Sequence, residues 1–105
     1  MSESGITVRK NEAAHRFEAQ QDGRLAILTY QQRDGRITLI HTEVPTELEG
    51  HGIGAALARA ALEDARAEGL RVVPLCPFVR GYIERHPEYE TLVAAGDERG
   101  PAGAR

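Results

Sequence analysis

The residues most able to do chemistry are Glu49-Gly50-His51-Gly52-Ile53-Gly54-Ala55. Closely spaced glycines let backbone N–H groups approach a ligand without Cβ interference. A helix beginning behind them adds partial positive charge, and the two together make an anion site suited to phosphate. The plainer alternative is a loop that only turns the chain. A nucleoside-triphosphate loop needs Gly-Lys-Ser/Thr, and the one lysine is Lys10, so that reading fails. Gly50, Gly52 and Ala55 satisfy a relaxed dinucleotide fingerprint, but that motif should follow a strand directly and lead to a strand closed by an acidic residue. Here a stretch of chain intervenes after Thr42, and the next strand closes with Pro74-Leu75-Cys76, so the match is weak. Cys76 is the other reactive candidate. It precedes Pro77 and a short helix, so it lies at or beside an N-cap, where the helix dipole favours thiolate. His15 and His86 have no metal-ligand spacing with each other or with Cys76, and no metal is expected.

The elements that must position these residues divide into two halves. Asp22-Gly23 and Asp34-Gly35 supply the positive φ angles of tight hairpins. They separate strand-like segments at Ala14–Gln20, Arg24–Gln32 and Arg36–Thr42, which predicts a three-stranded antiparallel meander. In the last of these, strict alternation puts Ile37, Leu39 and His41 on one face and Thr38, Ile40 and Thr42 on the other. From Gly52 to Glu68 the period changes. Ile53, Leu57, Ala61 and Ala65 recur every four residues and make the apolar stripe of a helix, which Gly69 closes. Leu70–Cys76 reads as a strand in which Pro74 removes a ladder donor. Pro77–Arg85 reads as a short helix with proline at its first position, stopped before Pro87. The order β-β-β-α-β-α is an α+β architecture, and the joining helix makes the third and fourth strands parallel neighbours.

Composition narrows the class. The chain has 105 residues, enough for one domain with a modest core. No apolar run approaches the roughly 20 residues of a membrane span, and the start lacks the pattern of a secretory signal. One cysteine cannot form an internal disulfide, which points to a reducing, cytoplasmic setting. Thirteen basic against sixteen acidic residues give a formal charge of -3 without a basic block, which argues against nucleic acid as the main partner.

Two linked motifs resemble a known family. Glu49-Gly50-His51-Gly52-Ile53-Gly54 has the spacing of the acetyl-coenzyme A signature of the GCN5-related N-acetyltransferase (GNAT) superfamily, Gln/Arg-x-x-Gly-x-Gly/Ala opening a long helix after a central strand. Pro45-Thr46-Glu47-Leu48-Glu49-Gly50-His51-Gly52-Ile53-Gly54 followed by Pro74-Leu75-Cys76-Pro77-Phe78-Val79 is similar to a small single-domain branch of that superfamily, as is the ending Tyr82-Ile83-Glu84-Arg85-His86-Pro87-Glu88-Tyr89. The likeness spans roughly Leu25 to Leu92. It implies one compact GNAT-like domain over residues 6–92, with 93–105 a flexible C-terminal tail.

It also implies a function: transfer of acetyl from acetyl-coenzyme A to an amine, with a protein or peptide as a fitting acceptor and the chain a monomer or weak homodimer. Pantetheine would lie where the third and fourth strands splay apart, bonding backbone around Thr42, Glu43 and Val44. The pyrophosphate would sit on the amides of Glu49, Gly50, His51, Gly52, Ile53, Gly54 and Ala55. Glu49 departs from the usual glutamine or arginine. A carboxylate beside diphosphate is unfavourable unless it points away, whereas His51 could supply a donor. In such a cleft Cys76 would receive or place the acetyl group, and His41, near its open end, would move protons. Their plainer roles are a small buried hydrophobe and a locally satisfied histidine. Tyr82 resembles the tyrosine that protonates the departing thiolate in many such enzymes, or it packs its helix on the sheet. Glu43 is a lesser candidate base for an incoming ammonium. The alternatives from other classes are a non-catalytic acyl-coenzyme A-binding module and an interaction domain with a purely structural glycine loop.

Overall fold

The computed structural model describes residues 6–94. Five strands form one sheet in sequence order: β1 (Val8–Asn11), β2 (Arg16–Gln21), β3 (Arg24–Arg33), β4 (Arg36–Glu43) and β5 (Arg71–Pro74). β1 to β4 pair antiparallel, and β5 joins β4 in parallel. Asp22 and Gly23, and likewise Asp34 and Gly35, all have positive φ, the type I′ geometry whose twist matches the flanking strands. The meander therefore has four strands where three are expected from sequence. The missed strand enters through Glu12–His15, a turn with no Asp-Gly pair, in which His15 takes the positive φ of 57°.

Helix α1 (Ile53–Glu68) connects β4 to β5, and α2 (Pro77–Arg85) follows β5. The α1 face against the sheet buries Ile53, Leu57, Ala58, Ala61, Leu62 and Ala65. It meets Phe17, Ala19, Ala26, Leu28, Ile37, Leu39 and Val72 in one apolar core. At about 25 cal/mol per Å² of apolar area, each large aliphatic side chain here contributes about 1.5–3 kcal/mol. Two polar contacts fix α1 laterally. Lys10 Nζ of β1 donates to Asp64 Oδ2 at 2.8 Å; partial burial opposes its charge, but Asp64 outweighs that and raises the ammonium pKa. Tyr89, in the 3-10 segment Pro87–Leu92, donates to Glu63 Oε2 at 2.6 Å. Its phenol is pushed up to about 12 by burial and by that carboxylate.

The sequence places a tail from residue 93, but the chain stays on the fold slightly longer. Val93 bridges Val72, and the Ala94 amide donates to Val72 O at 2.8 Å. The remainder of the expected tail lies outside the described residues. Among the described residues, no helix is long and apolar enough to cross a membrane.

Two irregularities shape the site. β4 runs on to Glu43, but its pairing with β5 stops at Leu39 opposite Pro74, so the two strands part beyond that point. In addition, the β3–β4 register shifts between Thr29, opposite His41, and Tyr30, opposite Leu39, which makes Ile40 an extra residue on β4. Such a bulge resets the alternation of side chains. Thr42, opposite buried Leu28, thus turns to the helix side, while His41 and Glu43 turn to the other face. This corrects the sequence expectation that His41 shares a face with Ile37 and Leu39.

Candidate active site

Where β4 and β5 part, a cleft of about 750 Å³ opens between the end of β4, the loop behind it and the start of α1. That volume lies within the roughly 300–1,000 Å³ usual for small-molecule sites. Thr42, Glu43, Val44, Glu49, Gly50, Gly52, Ile53, Gly54 and Ala55 line it, together with Leu25, Pro45, Thr46, Leu48 and Phe78.

The loop is built to present its amides. A 3-10 turn, Thr46–Leu48, follows Pro45 and takes up the Leu48 and Glu49 amides, which donate to Pro45 O at 2.8 Å and Thr46 O at 3.2 Å. The Glu49 N–H is therefore already taken, and the run of amides open to a ligand begins at Gly50. Gly52 caps α1 with φ 79° and ψ 11°, a left-handed conformation that glycine adopts without steric cost, and has no side chain to satisfy the helix. The first backbone bond of α1 runs from Ala56 N to Gly52 O. Among the described residues, no backbone carbonyl accepts from the amides of Gly50 to Ala55. These orphan donors at a helix N-terminus fit the diphosphate of coenzyme A, the group that the sequence motif implies. Gly54 has a separate reason to be glycine: a Cβ there would lie 2.9 Å from Cζ of Phe78.

The proposed chemical residues lie around this cleft rather than in its lining. Cys76 is the N-cap of α2 and is 97% buried by area, at 3% relative exposure. Its amide donates to Leu39 O at 3.0 Å, which ties α2 to the point where the strands part. Its Sγ lies 3.2 Å from Thr42 Oγ1, so the thiol's polar partner is a threonine that lines the cleft and not His41. His41 is exposed and pairs through Nε2 with Glu43 Oε2 at 3.3 Å, on the opposite face. Tyr82 is buried, with its ring stacked on His86 at 4.1 Å and near Tyr89 at 6.1 Å. His51 is exposed on the glycine loop and does not line the cleft.

Sequence reasoning missed Leu25 and Phe78, two of the few large apolar side chains left exposed, at 40% each. For Phe78 a signal existed, an aromatic two residues beyond the candidate cysteine; for Leu25 none did, since only the fold brings the start of β3 to the loop after β4.

Residues 16–92 match the family described as GCN5-related N-acetyl-transferase. Protein NATD1 of Mus musculus is 38% identical over 63 residues, covering 59% of this chain and 57% of the mouse protein. The human protein of that name gives the same identity over 56% of its length, so the matched region is little more than half of these relatives. NATD1 of Xenopus tropicalis is 30% identical over 87 residues, 80% of each chain. The solution structure of a GCN5-like protein from Staphylococcus aureus superimposes with a TM-score of 0.66 at 27% identity, covering 94% of this chain and 98% of that one.

Proposed function

Because the chain belongs to the GCN5-related N-acetyltransferase family, we propose that it binds acetyl-coenzyme A in the cleft between β4 and β5 and transfers the acetyl group to an amine. One observation carries this reading: the run of amides from Gly50 to Ala55, without backbone acceptors among the described residues, at the mouth of a cleft that the parting of two strands creates. When bound, the thioester supplies an activated acyl group.

The chain's own residues would do the rest. The amides of Gly50 to Ala55 hold the diphosphate, and the unpaired edge of β4 from Ile40 to Glu43 orients the pantetheine arm. The Val44 amide, which donates to no backbone group among the described residues, is positioned at the cleft wall to stabilise charge developing on the acyl oxygen. The His41–Glu43 pair, on the face away from the helices, removes the proton from an incoming ammonium. Cys76 acts at the cleft through Thr42, a lining residue whose hydroxyl is 3.2 Å from the thiol. The buried, stacked Tyr82 packs α2 against its neighbours.

A second reading, a non-catalytic acyl-coenzyme A module, is favoured by the fact that neither Cys76, His41 nor Tyr82 lines the cleft. One experiment separates the two. Calorimetry with coenzyme A and acetyl-coenzyme A measures binding, and release of free thiol in the presence of an amine panel measures transfer. Binding with transfer, reduced at least tenfold (about 1.4 kcal/mol) in Cys76→Ala or His41→Ala, supports the enzyme. Binding without turnover supports the module, and failure to bind either compound removes both.

A further inference from the structure

The short stretch of chain between β5 and α2 is held from one side by a strand and from the other by an arginine. Arg71 N donates to Gly35 O at 2.9 Å, and a regular parallel ladder, advancing two residues at a time, would bring Leu75 N to Leu39 O. Cys76 N takes that place instead, at 3.0 Å, while Leu75 N turns back to Val73 O at 3.1 Å. Leu75 is thus an extra residue, and its carbonyl accepts from no backbone donor among the described residues. Pro74 lies two residues after Val72, whose carbonyl accepts from Ala94 N at the outer edge of the sheet, so the Pro74 carbonyl also faces that edge. One guanidinium meets both: Arg80 Nη1 donates to Pro74 O at 3.1 Å and to Leu75 O at 2.9 Å. Arg80 is exposed near the start of α2, where the helix dipole disfavours a cation. Glu84 and Glu90 line the same surface hollow, yet among the described residues its partners are main-chain carbonyls and not carboxylates.

Building on the acyl-transfer reading, we propose that Arg80 is a positioning residue: its guanidinium sets the Leu75–Cys76 peptide and so holds the Cys76 thiol at Thr42, on the cleft wall. A peptide group is planar, so fixing its N–H and its C=O fixes the Cα atoms of both residues it joins. Here the N–H is fixed by Leu39 O and the C=O by Arg80, and one of the two Cα atoms carries the thiol. Without the guanidinium the N–H bond to β4 remains, but the plane is free to turn about it. The sulfur then shifts relative to the Thr42 hydroxyl, its partner at 3.2 Å. A displacement of about 1 Å in a positioned group costs up to about a hundredfold in rate. Lysine keeps a donor on a flexible stem and replaces the guanidinium in part, whereas methionine keeps the apolar stem and offers no donor. Arg80 does not line the cleft, so carrier binding is expected to be unaffected.

Cys76 is the one cysteine of the chain, so the rate at which a thiol reagent labels the full-length protein reports on this sulfur alone. The test compares wild type, Arg80→Met, Arg80→Lys and Arg85→Met, the last removing a charge from the far end of the same helix. Labelling is followed well below each melting temperature, and melting curves check that the variants are folded. The expected result is that Arg80→Met labels at least about fivefold faster than wild type, through local opening, with Arg80→Lys slower than Arg80→Met and Arg85→Met unchanged. With acetyl-coenzyme A and the amine panel, Arg80→Met should lower kcat about tenfold or more and leave KM for acetyl-coenzyme A within about twofold, and Arg80→Lys should recover part of the loss. A merely structural role lowers the melting temperature without moving labelling or splitting kcat from KM. Labelling accelerated less than about fivefold in Arg80→Met, equal acceleration in Arg85→Met, or an unaltered kcat despite faster labelling overturns the proposal. If the wild type neither binds acetyl-coenzyme A nor transfers its acetyl group, the acyl-transfer reading itself fails, and the labelling rates still decide whether Arg80 places the thiol.

Discussion

Replacing Gly54 with alanine separates the cleft's role in binding from its role in folding. The added Cβ would lie 2.9 Å from Cζ and 3.2 Å from Cε2 of Phe78, whereas carbon atoms rest at about 3.5–4.0 Å. The ring must therefore yield by about half an ångström or more. It can do so, because Phe78 is 40% exposed and its far edge is free to swing. Alanine in place of glycine inside a helix gains up to about 1 kcal/mol, and a position in the first turn gains less. Gain and displacement nearly cancel, so the expected stability change is within about 0.5 kcal/mol, or a melting shift of no more than about 4 °C for a domain this size.

Binding should respond differently. Gly54 and Phe78 both line the cleft, so the added methyl group and the displaced ring alter the wall against which the ligand must fit. The expected outcome is a coenzyme A affinity at least about tenfold lower, about 1.4 kcal/mol, by calorimetry. Gly52→Ala is the contrasting control. A Cβ there meets nothing within 4 Å, but φ 79° forces a left-handed L-residue, which costs about 1–2 kcal/mol in stability. Gly54→Ala binding within twofold of wild type would refute the claim that these amides form the ligand cradle.

Two further predictions concern the fold. Glu18 is held at about 2, well below its ordinary 4.5, by hydrogen bonds from Arg16 and Asn11, with Arg9 adding a third against the opposing effect of burial. A depressed carboxyl stabilises the fold above its ordinary value and loses that contribution as pH falls toward 2. Thermal melts should therefore show wild type losing its advantage over Glu18→Gln between about pH 4.5 and 2, and a constant difference across that window would contradict the network. Leu57, fully buried where α1 meets the sheet, should cost about 2–5 kcal/mol in urea denaturation when replaced by alanine, and a loss below about 1 kcal/mol would place it outside the core.

Local chemistry determined much of this protein before any coordinates. The Asp-Gly pairs have a backbone preference that does not wait for tertiary contacts, and both hairpins form where they stand. The four-residue recurrence of Ile53, Leu57, Ala61 and Ala65 specifies a one-sided helix, and all four are buried. Pro77 begins α2 because proline suits a first turn. β1 escaped because Val8-Arg9-Lys10-Asn11 is short and polar; it is held by pairing with β2 and by Lys10 reaching Asp64, which is 54 residues away in sequence.

The tertiary structure decided the site's orientation. A bulge is a property of two strands in register, and no feature of Ile40 alone announces that it is the extra residue. Yet that one residue reverses the faces of His41 and Thr42, separating the histidine from Cys76 and bringing the threonine hydroxyl to the thiol. The same holds for Glu49: its position in the motif is legible in sequence, but only the Thr46–Leu48 turn consumes its amide and so removes it from the cradle that begins at Gly50. Residue type and spacing specify which groups are available, whereas their direction depends on pairings between distant segments that no single segment encodes.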